Sequence, residues 1–189
     1  MIRLKLIKVY SLCLTSLLAL SSLAPSTANA LPDDRNKPIH ITSDTAEIDD
    51  KTGNSVYRGK VKMVQGTINL EGDQITIFSN SDGVTHLIAI GAPAHFQQQS
   101  EANKELTHAY GNTIEYFIAK EKMKLIKQAR LVQDSNVFTG ERIDYDMKKR
   151  LVNAYGGDQT SSTAETPRVN MIIQPAKSDD SESSAPNDE

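Results

Sequence analysis

Cysteine is all but missing: the single one, Cys13, lies among the first thirty residues of a 189-residue chain. From residue 31 onward the protein must fold without disulfides, and no thiol is available as a nucleophile or metal ligand. Tryptophan is absent and aromatics make up only 5% of the chain, so there are few large rings to plug a core or to stack on sugars. His40, His86, His95 and His108 show no HxxxH spacing and have no cysteine nearby, which removes the usual zinc pattern. No GxSxG elbow, GxxxxGKS loop or GxGxxG turn occurs, so neither a serine hydrolase nor a nucleotide binder is signalled. With no candidate group in sight of a catalytic partner, the reading is not an enzyme, with no metal and no cofactor.

An excess of positive charge is lacking too. Arg3, Lys5 and Lys8 lead an apolar run, Val9 to Leu23, and Ala28, Asn29 and Ala30 supply a small-x-small site, the three-part pattern of a secretory signal cut after Ala30. The run is broken by Ser11, Thr15 and Ser16 and is too short for a membrane anchor. Cys13 follows Leu12, where a lipoprotein signal needs a small residue, so it leaves with the leader. Residues 31–189 then carry 18 Lys and Arg against 24 Asp and Glu. Five of those acids fall in the tail SDDSESSAPNDE, 178–189, which reads as disordered because it has nothing to bury. A nearly neutral body without clustered bases argues against nucleic acid as a partner.

What the chain does have is alternation. Ile39 and Ile41, Ile75 and Ile77, the series Ile114, Tyr116, Ile118 and the series Ile143, Tyr145, Met147 all recur at a spacing of two, the mark of half-buried strands. Helical rivals are confined to EANKELTHA and AKEKMKLIKQ, and the repeat partner of the second, KKRLVNAYG, is not helical. The fold class is all-β, as one domain over 31–177.

The chain also repeats itself. SD at 43–44, GD at 72–73, GN at 111–112 and GE at 140–141 form one column, spaced by 29, 39 and 29 residues. Gly59, Gly91, Lys127 and Gly156 form a second column, and Gln65, Gln97 and Gln133 a third. Each unit reads as strand, turn, strand, kink, strand, and buries its apolar face only by stacking on its neighbours. The expected result is an open sandwich, roll or solenoid. Unlike a closed barrel it has two free edges, at KPIHIT and RVNMIIQP, bounded by Pro38 and Pro175. Ile39 and Ile41 at one end, and Val169, Met171 and Ile173 at the other, are the candidate contact residues. Free edges pair with other chains, so head-to-tail self-association is expected, and a heterologous contact of that kind propagates.

KPIHITSDTAEID, GKVKMVQGTINLEGDQI, GAPAHFQ, GNTIEYFIAKEKMKL and GERIDYD, in this order, resemble the LptA/OstA family of periplasmic lipopolysaccharide-transport bridge proteins over about residues 37 to 157. The resemblance implies an open-ended, twisted β-jellyroll in the periplasm, built from repeated antiparallel strand units. It implies that similar jellyroll domains of an inner-membrane, LptC-like partner and an outer-membrane, LptD-like partner join it at its ends. Lipopolysaccharide would pass with the acyl chains of lipid A inside and its sugars outside. By that resemblance Ile39, Ile41, Phe96, Tyr116 and Ile118 line the lipid path, and Val61 and Leu131 follow by repeat register. Arg35 and Lys37, just ahead of the first strand, are candidates for a glycolipid phosphate.

Two other readings are open at this stage. Asp144 and Asp146 share a strand face and would suit calcium or acid–base work, but Ile143, Tyr145 and Met147 claim the inner face, which makes solvated outer carboxylates the plainer reading. A structural or polysaccharide-binding β-solenoid of the cell envelope is the alternative to transport. It is disfavoured because sugar binders display exposed rings, whereas the tyrosines here phase inward.

Overall fold

The computed structural model describes residues 34–99, 105–157 and 168–175. The leader at 1–30, the loop at 158–167 and the acidic tail at 178–189 lie outside the described residues. Ten strands follow one another: β1 (His40–Thr42), β2 (Thr45–Asp49), β3 (Asn54–Gln65), β4 (Ile68–Asn80), β5 (Gly83–Gln98), β6 (Thr107–Phe117), β7 (Lys122–Gln133), β8 (Asn136–Asp146), β9 (Leu151–Tyr155) and β10 (Asn170–Ile172). Single 3-10 turns stand at Asp34–Asn36 and Ile118–Lys120. All described pairings are antiparallel, and β3 to β8 lie side by side in chain order within one open sheet.

The two short strands at each end are halves of one bent strand. β2 pairs with the first part of β3, Asn54–Arg58, and β1 with its last part, Lys62–Val64. Likewise β9 pairs with Arg142–Asp146 of β8, and β10 with Val137–Thr139. Every long strand is broken in the same place, with register shifts at Arg58/Val61, Glu71/Gln74, Ile90/Ala94, Tyr110/Thr113 and Ile126/Ala129. These breaks are the repeated columns of the sequence. The chain says the same thing again because each strand must bend at the same line.

The bend is made by two devices that face each other. In β3 and β7 two consecutive residues take left-handed φ, Gly59 and Lys60 at 85° and 45°, Lys127 and Gln128 at 60° and 53°. In β4 and β8 a glycine admits the neighbouring backbone: a Cβ at Gly72 would stand 2.7 Å from the Ile90 carbonyl oxygen, and one at Gly140 would stand 2.6 Å from that of Tyr155. Bulges of this kind bend a strand and sharpen its twist.

The bend folds the sheet on itself into two half-sheets. The first holds β1, β10 and the segments 61–65, 68–72, 94–98, 107–111, 129–133 and 136–140; the second holds β2, β9 and the remaining segments. Phe96 in the first meets Tyr116 in the second edge to face, ring centroids 5.4 Å apart. Leu70, Leu87, Ile114, Leu125, Leu131 and Ile143 are fully buried between the halves, each contributing on the order of 1.5–3 kcal/mol by leaving water.

The bend also resets the alternation in β6, since Ala109 and Ile114 both face inward though five residues apart, while the extra residues of the irregular register lie in its neighbours β5 and β7. Tyr110 therefore faces outward, as does Tyr155, which pairs with the outward Arg142. The expectation that the tyrosines phase inward holds for Tyr57, Tyr116 and Tyr145 and fails for these two. A similar correction applies to the glutamine column. The longer kink Gly91–Pro93 puts Gln97 outward, opposite His108, and Gln98 takes the inward rim position. Ile118 no longer belongs to a strand: β6 ends at Phe117 and Ile118 opens the 3-10 turn, still covered.

Candidate functional site

The inner faces of the two half-sheets form one apolar layer that runs across all the strands. Val61, Phe96 and Leu131 enter it from the first half-sheet, Tyr116 and Ile118 from the second, and all five belong to a single buried cluster. Ile39 and Ile41 pack against that cluster from the first edge and are only partly buried. Met63, Ile68, Leu70, Leu87, Met123 and Leu125 occupy the same layer. They were not singled out from sequence, although alternation alone marks them.

Burial falls away at both ends while the inward phase continues. Ile48 on β2 pairs with Ser55, which pairs with the buried Ile77, so it shares the inner face and yet is 64% exposed. At the far end Met171 pairs with Phe138 and Phe138 with the buried Leu131, and Met171 is 50% exposed. Val169 and Ile173 are exposed beside it. The candidate edge residues thus sit at opposite ends of the sheet, Ile39 and Ile41 at one and Val169, Met171 and Ile173 at the other.

The long rim facing away from the bend is closed by polar contacts. Gln133 Nε2 donates to the Tyr145 phenol oxygen at 3.0 Å, and Arg150 meets Asp134 at 2.6 Å, both across the two half-sheets. Burial pushes the Tyr145 phenol above its ordinary range, which keeps it neutral. At the start of the sheet the rim is covered by residues 34–37. Asp34 is buried, and its carboxylate accepts from Thr67 N at 2.8 Å, Thr67 Oγ1 at 2.6 Å and Gln98 Nε2 at 3.2 Å, while Gln65 Nε2 donates to the Lys37 carbonyl at 3.0 Å. Residues 34–37 read in sequence as part of a loose leader, and no local pattern announces their docking, because its partners lie some thirty and sixty residues away. Lys37 itself is exposed.

The outer face carries ladders of rings with cations over them. His86 stacks between Phe78 and Phe117, at 4.4 and 4.9 Å. His95 stacks on Tyr110 at 4.4 Å, with Arg130 also over that ring, and Arg142 lies 4.2 Å from the Tyr155 centroid. The outward rings of Phe78, Phe117 and Tyr110 are thus partly covered by their stacking partners, whereas Tyr155 remains 43% exposed beneath Arg142. His95 Nε2 lies 3.1 Å from His108 Nδ1, and burial, then the neighbouring His108, hold His95 below its ordinary pKa despite Glu71. Among the described residues no three His, Cys, Asp or Glu side chains gather as a metal site. Asp144 and Asp146 face outward to Arg142 and Lys122, as the outer-face reading expected, but they are paired and mostly covered rather than freely solvated, at 30% and 13% side-chain exposure.

An open sheet folded along one line, apolar within and unsealed at both edges, defines a jellyroll of the conduit or scaffold kind. The family described as LptA/(LptD N-terminal domain) LPS transport protein matches residues 40–151, and the chain belongs to that family of transport proteins, which are not enzymes. It is 40% identical over 158 residues to the lipopolysaccharide export system protein LptH of Pseudomonas aeruginosa, covering 83% of this chain and 90% of the relative. To LptA of Escherichia coli K12 it is 29% identical, over 92% of this chain and 91% of the relative. The crystal structure of LptH, described as the LptA-homologous periplasmic component of the Pseudomonas aeruginosa lipopolysaccharide transport device, superimposes with a TM-score of 0.68 at 42% identity. That match covers 76% of this chain and all of the other.

Proposed function

We propose that this protein is a periplasmic carrier of lipopolysaccharide that bridges an inner-membrane and an outer-membrane jellyroll and passes lipid A acyl chains along its inner face. The observation that carries this reading is the inner apolar layer, which runs through every strand and emerges at both edges, at Ile48 and Met171. Acyl chains need an apolar path that does not end inside the protein, and an ordinary sandwich core has no reason to continue outward at two free edges. The names and matched lengths of the relatives support the same cargo. Because the middle of the layer is packed, entering chains displace the contact between half-sheets, with Phe96 and Tyr116 separating to admit them.

A photoreactive residue at Ile41, Phe96 or Tyr116 is expected to crosslink to lipopolysaccharide in living cells, and one at the outward His40 or Glu115 is not. Equal labelling of both sets would overturn the reading and leave an envelope scaffold with a closed core.

A further inference from the structure

The outer face of the second half-sheet holds a depression of about 440 Å³ between the turn after β6 and the turn after β8. Its walls bring four lysines together from three elements: Lys120 on the 3-10 turn, Lys122 and Lys124 on β7, and Lys149 on the β8–β9 turn. Facing them are Asp144, Asp146 and Asn153, with Phe117 and Leu151 at the sides.

These ammonium groups are only loosely held within the protein. Lys122 lies 3.5 Å from Asp146 and Lys124 lies 3.8 Å from Glu115, loose pairs in which both lysines are about half exposed, so solvent screens most of their value. Among the described residues no carboxylate lies within ion-pair distance of the Lys120 or Lys149 side chain. Lys120 and Lys124 instead stand 5.8 and 5.6 Å from the Phe117 ring centroid, whose quadrupole attracts cations to one place. Backbone donation from Lys149, ahead of the nearby Lys122 and Lys149 charges, holds the Asp146 carboxyl below its ordinary range. It stays ionised and fixes the turn that carries Lys149.

The chemistry of the depression is mixed in a particular way. Several ammonium groups converging on one space suit a phosphate. A bare phosphate would be repelled by Asp144, whose Oδ2 is held by Arg142 but whose Oδ1 is buried and without a hydrogen-bond partner. That oxygen is closed off from solvent and therefore from a ligand, which leaves Asn153, exposed at the wall of the depression, to offer hydrogen bonds to sugar hydroxyls. A nucleotide base is disfavoured, since the Phe117 ring already bears His86 and the lysines.

We propose that this depression is a subsite for a phosphorylated saccharide, with Lys120, Lys122, Lys124 and Lys149 on the phosphate and Asn153 on the hydroxyls. It rests on the transport reading only in that the phosphosugar would then be the headgroup of the glycolipid whose chains lie inside. A soluble sugar phosphate has the same chemistry.

The test is amide NMR on the labelled protein, titrated separately with a deacylated phosphorylated disaccharide, its dephosphorylated form, inorganic phosphate and intact lipopolysaccharide. The phosphorylated disaccharide is expected to shift the amides of Lys122, Lys124 and Asn153, and the dephosphorylated form and inorganic phosphate to bind at least about tenfold more weakly. Lys120→Gln/Lys149→Gln should weaken the phosphorylated ligand by about tenfold or more; Lys149→Gln alone, in an exposed turn, provides the same comparison should the pair misfold. Matching shifts with intact lipopolysaccharide identify the headgroup as the source, and shifts with the soluble sugar alone identify a free ligand; either outcome supports the subsite. Equal binding of inorganic phosphate, or unchanged binding in the lysine variants, overturns it. Shifts of the same amides on trimming the chain after Lys177, with no ligand added, would assign the depression to the protein's own acidic tail and also overturn it. Lysine variants that lose these shifts while crosslinking at Phe96 persists leave the carrier reading intact, and loss of crosslinking in the unaltered protein strikes that reading alone.

Discussion

Gln133, at the end of β7 in one half-sheet, donates its amide hydrogen to the phenol oxygen of Tyr145 in the other, 3.0 Å away. The two residues lie on opposite sides of the bend, and their contact helps to hold the long rim shut beside Asp134 and Arg150.

Replacing Gln133 with Leu leaves the Tyr145 hydroxyl buried without that partner and is expected to cost about 1–3 kcal/mol. Gln133→Leu combined with Tyr145→Phe removes both polar groups and should cost less than the single change. Urea unfolding of the two variants makes the comparison. Arg150→Ala, by contrast, breaks a pair with both side chains partly exposed and should cost less than about 1 kcal/mol.

The bend makes a second demand. Gly140→Ala would set a methyl group against the Tyr155 carbonyl oxygen, 2.6 Å from its ideal position, and the obstacle is backbone, which yields poorly. A loss of about 1–3 kcal/mol is expected, with faster hydrogen exchange concentrated on β9, the strand that would be pushed away.

The far edge is where self-association should be most easily separated from stability. β10 is three residues long, about half exposed at Met171 and Ile172, and among the described residues pairs only with β8. Ending the chain before Arg168 is expected to give a folded monomer that no longer forms concentration-dependent oligomers, and Met171→Pro should behave alike by removing a ladder donor. Light scattering over a concentration series decides the matter: oligomers that persist would count against edge pairing, and an unfolded product would place β10 in the core.

His95 makes stability depend on pH. Burial and His108 depress its folded pKa below the ordinary 6.5, so the unfolded chain binds a proton more readily than the folded one. The associated stability is present above about pH 6.5 and is lost as pH falls through the depressed folded value. The facing groups are Glu71 on β4 and His108 and Tyr110 on β6. His95→Gln should flatten the drop in urea midpoint between pH 7 and pH 5.

Period-two spacing made the strands and most inner positions legible, and Ile75, Ile114 and Ile143 are buried where it placed them. The column of Gly59, Gly91 and Lys127 marked the bends as well, though as kinks of unstated direction. The parity changes that the bends impose could not be read there. An irregular bend shifts parity along a strand without altering its composition, which is why the inward phase expected of the tyrosines fails at Tyr110 and Tyr155. The docking of Asp34 onto Thr67 and Gln98 and the lysine-lined depression were hidden for a related reason, since both join residues that only the folded sheet brings together.

Because β3 to β8 each pair with their neighbours in the chain, this sheet can be assembled in the order in which it is made. Each new strand finds its template already standing, and closing a hairpin costs little loop entropy. A chain emerging from a narrow pore, N-terminus first, would never need to hold an early strand waiting for a late one. At every stage before the last, however, its newest strand is an exposed edge, so the growing sheet is most vulnerable to wrong partners at the point where it is still being extended.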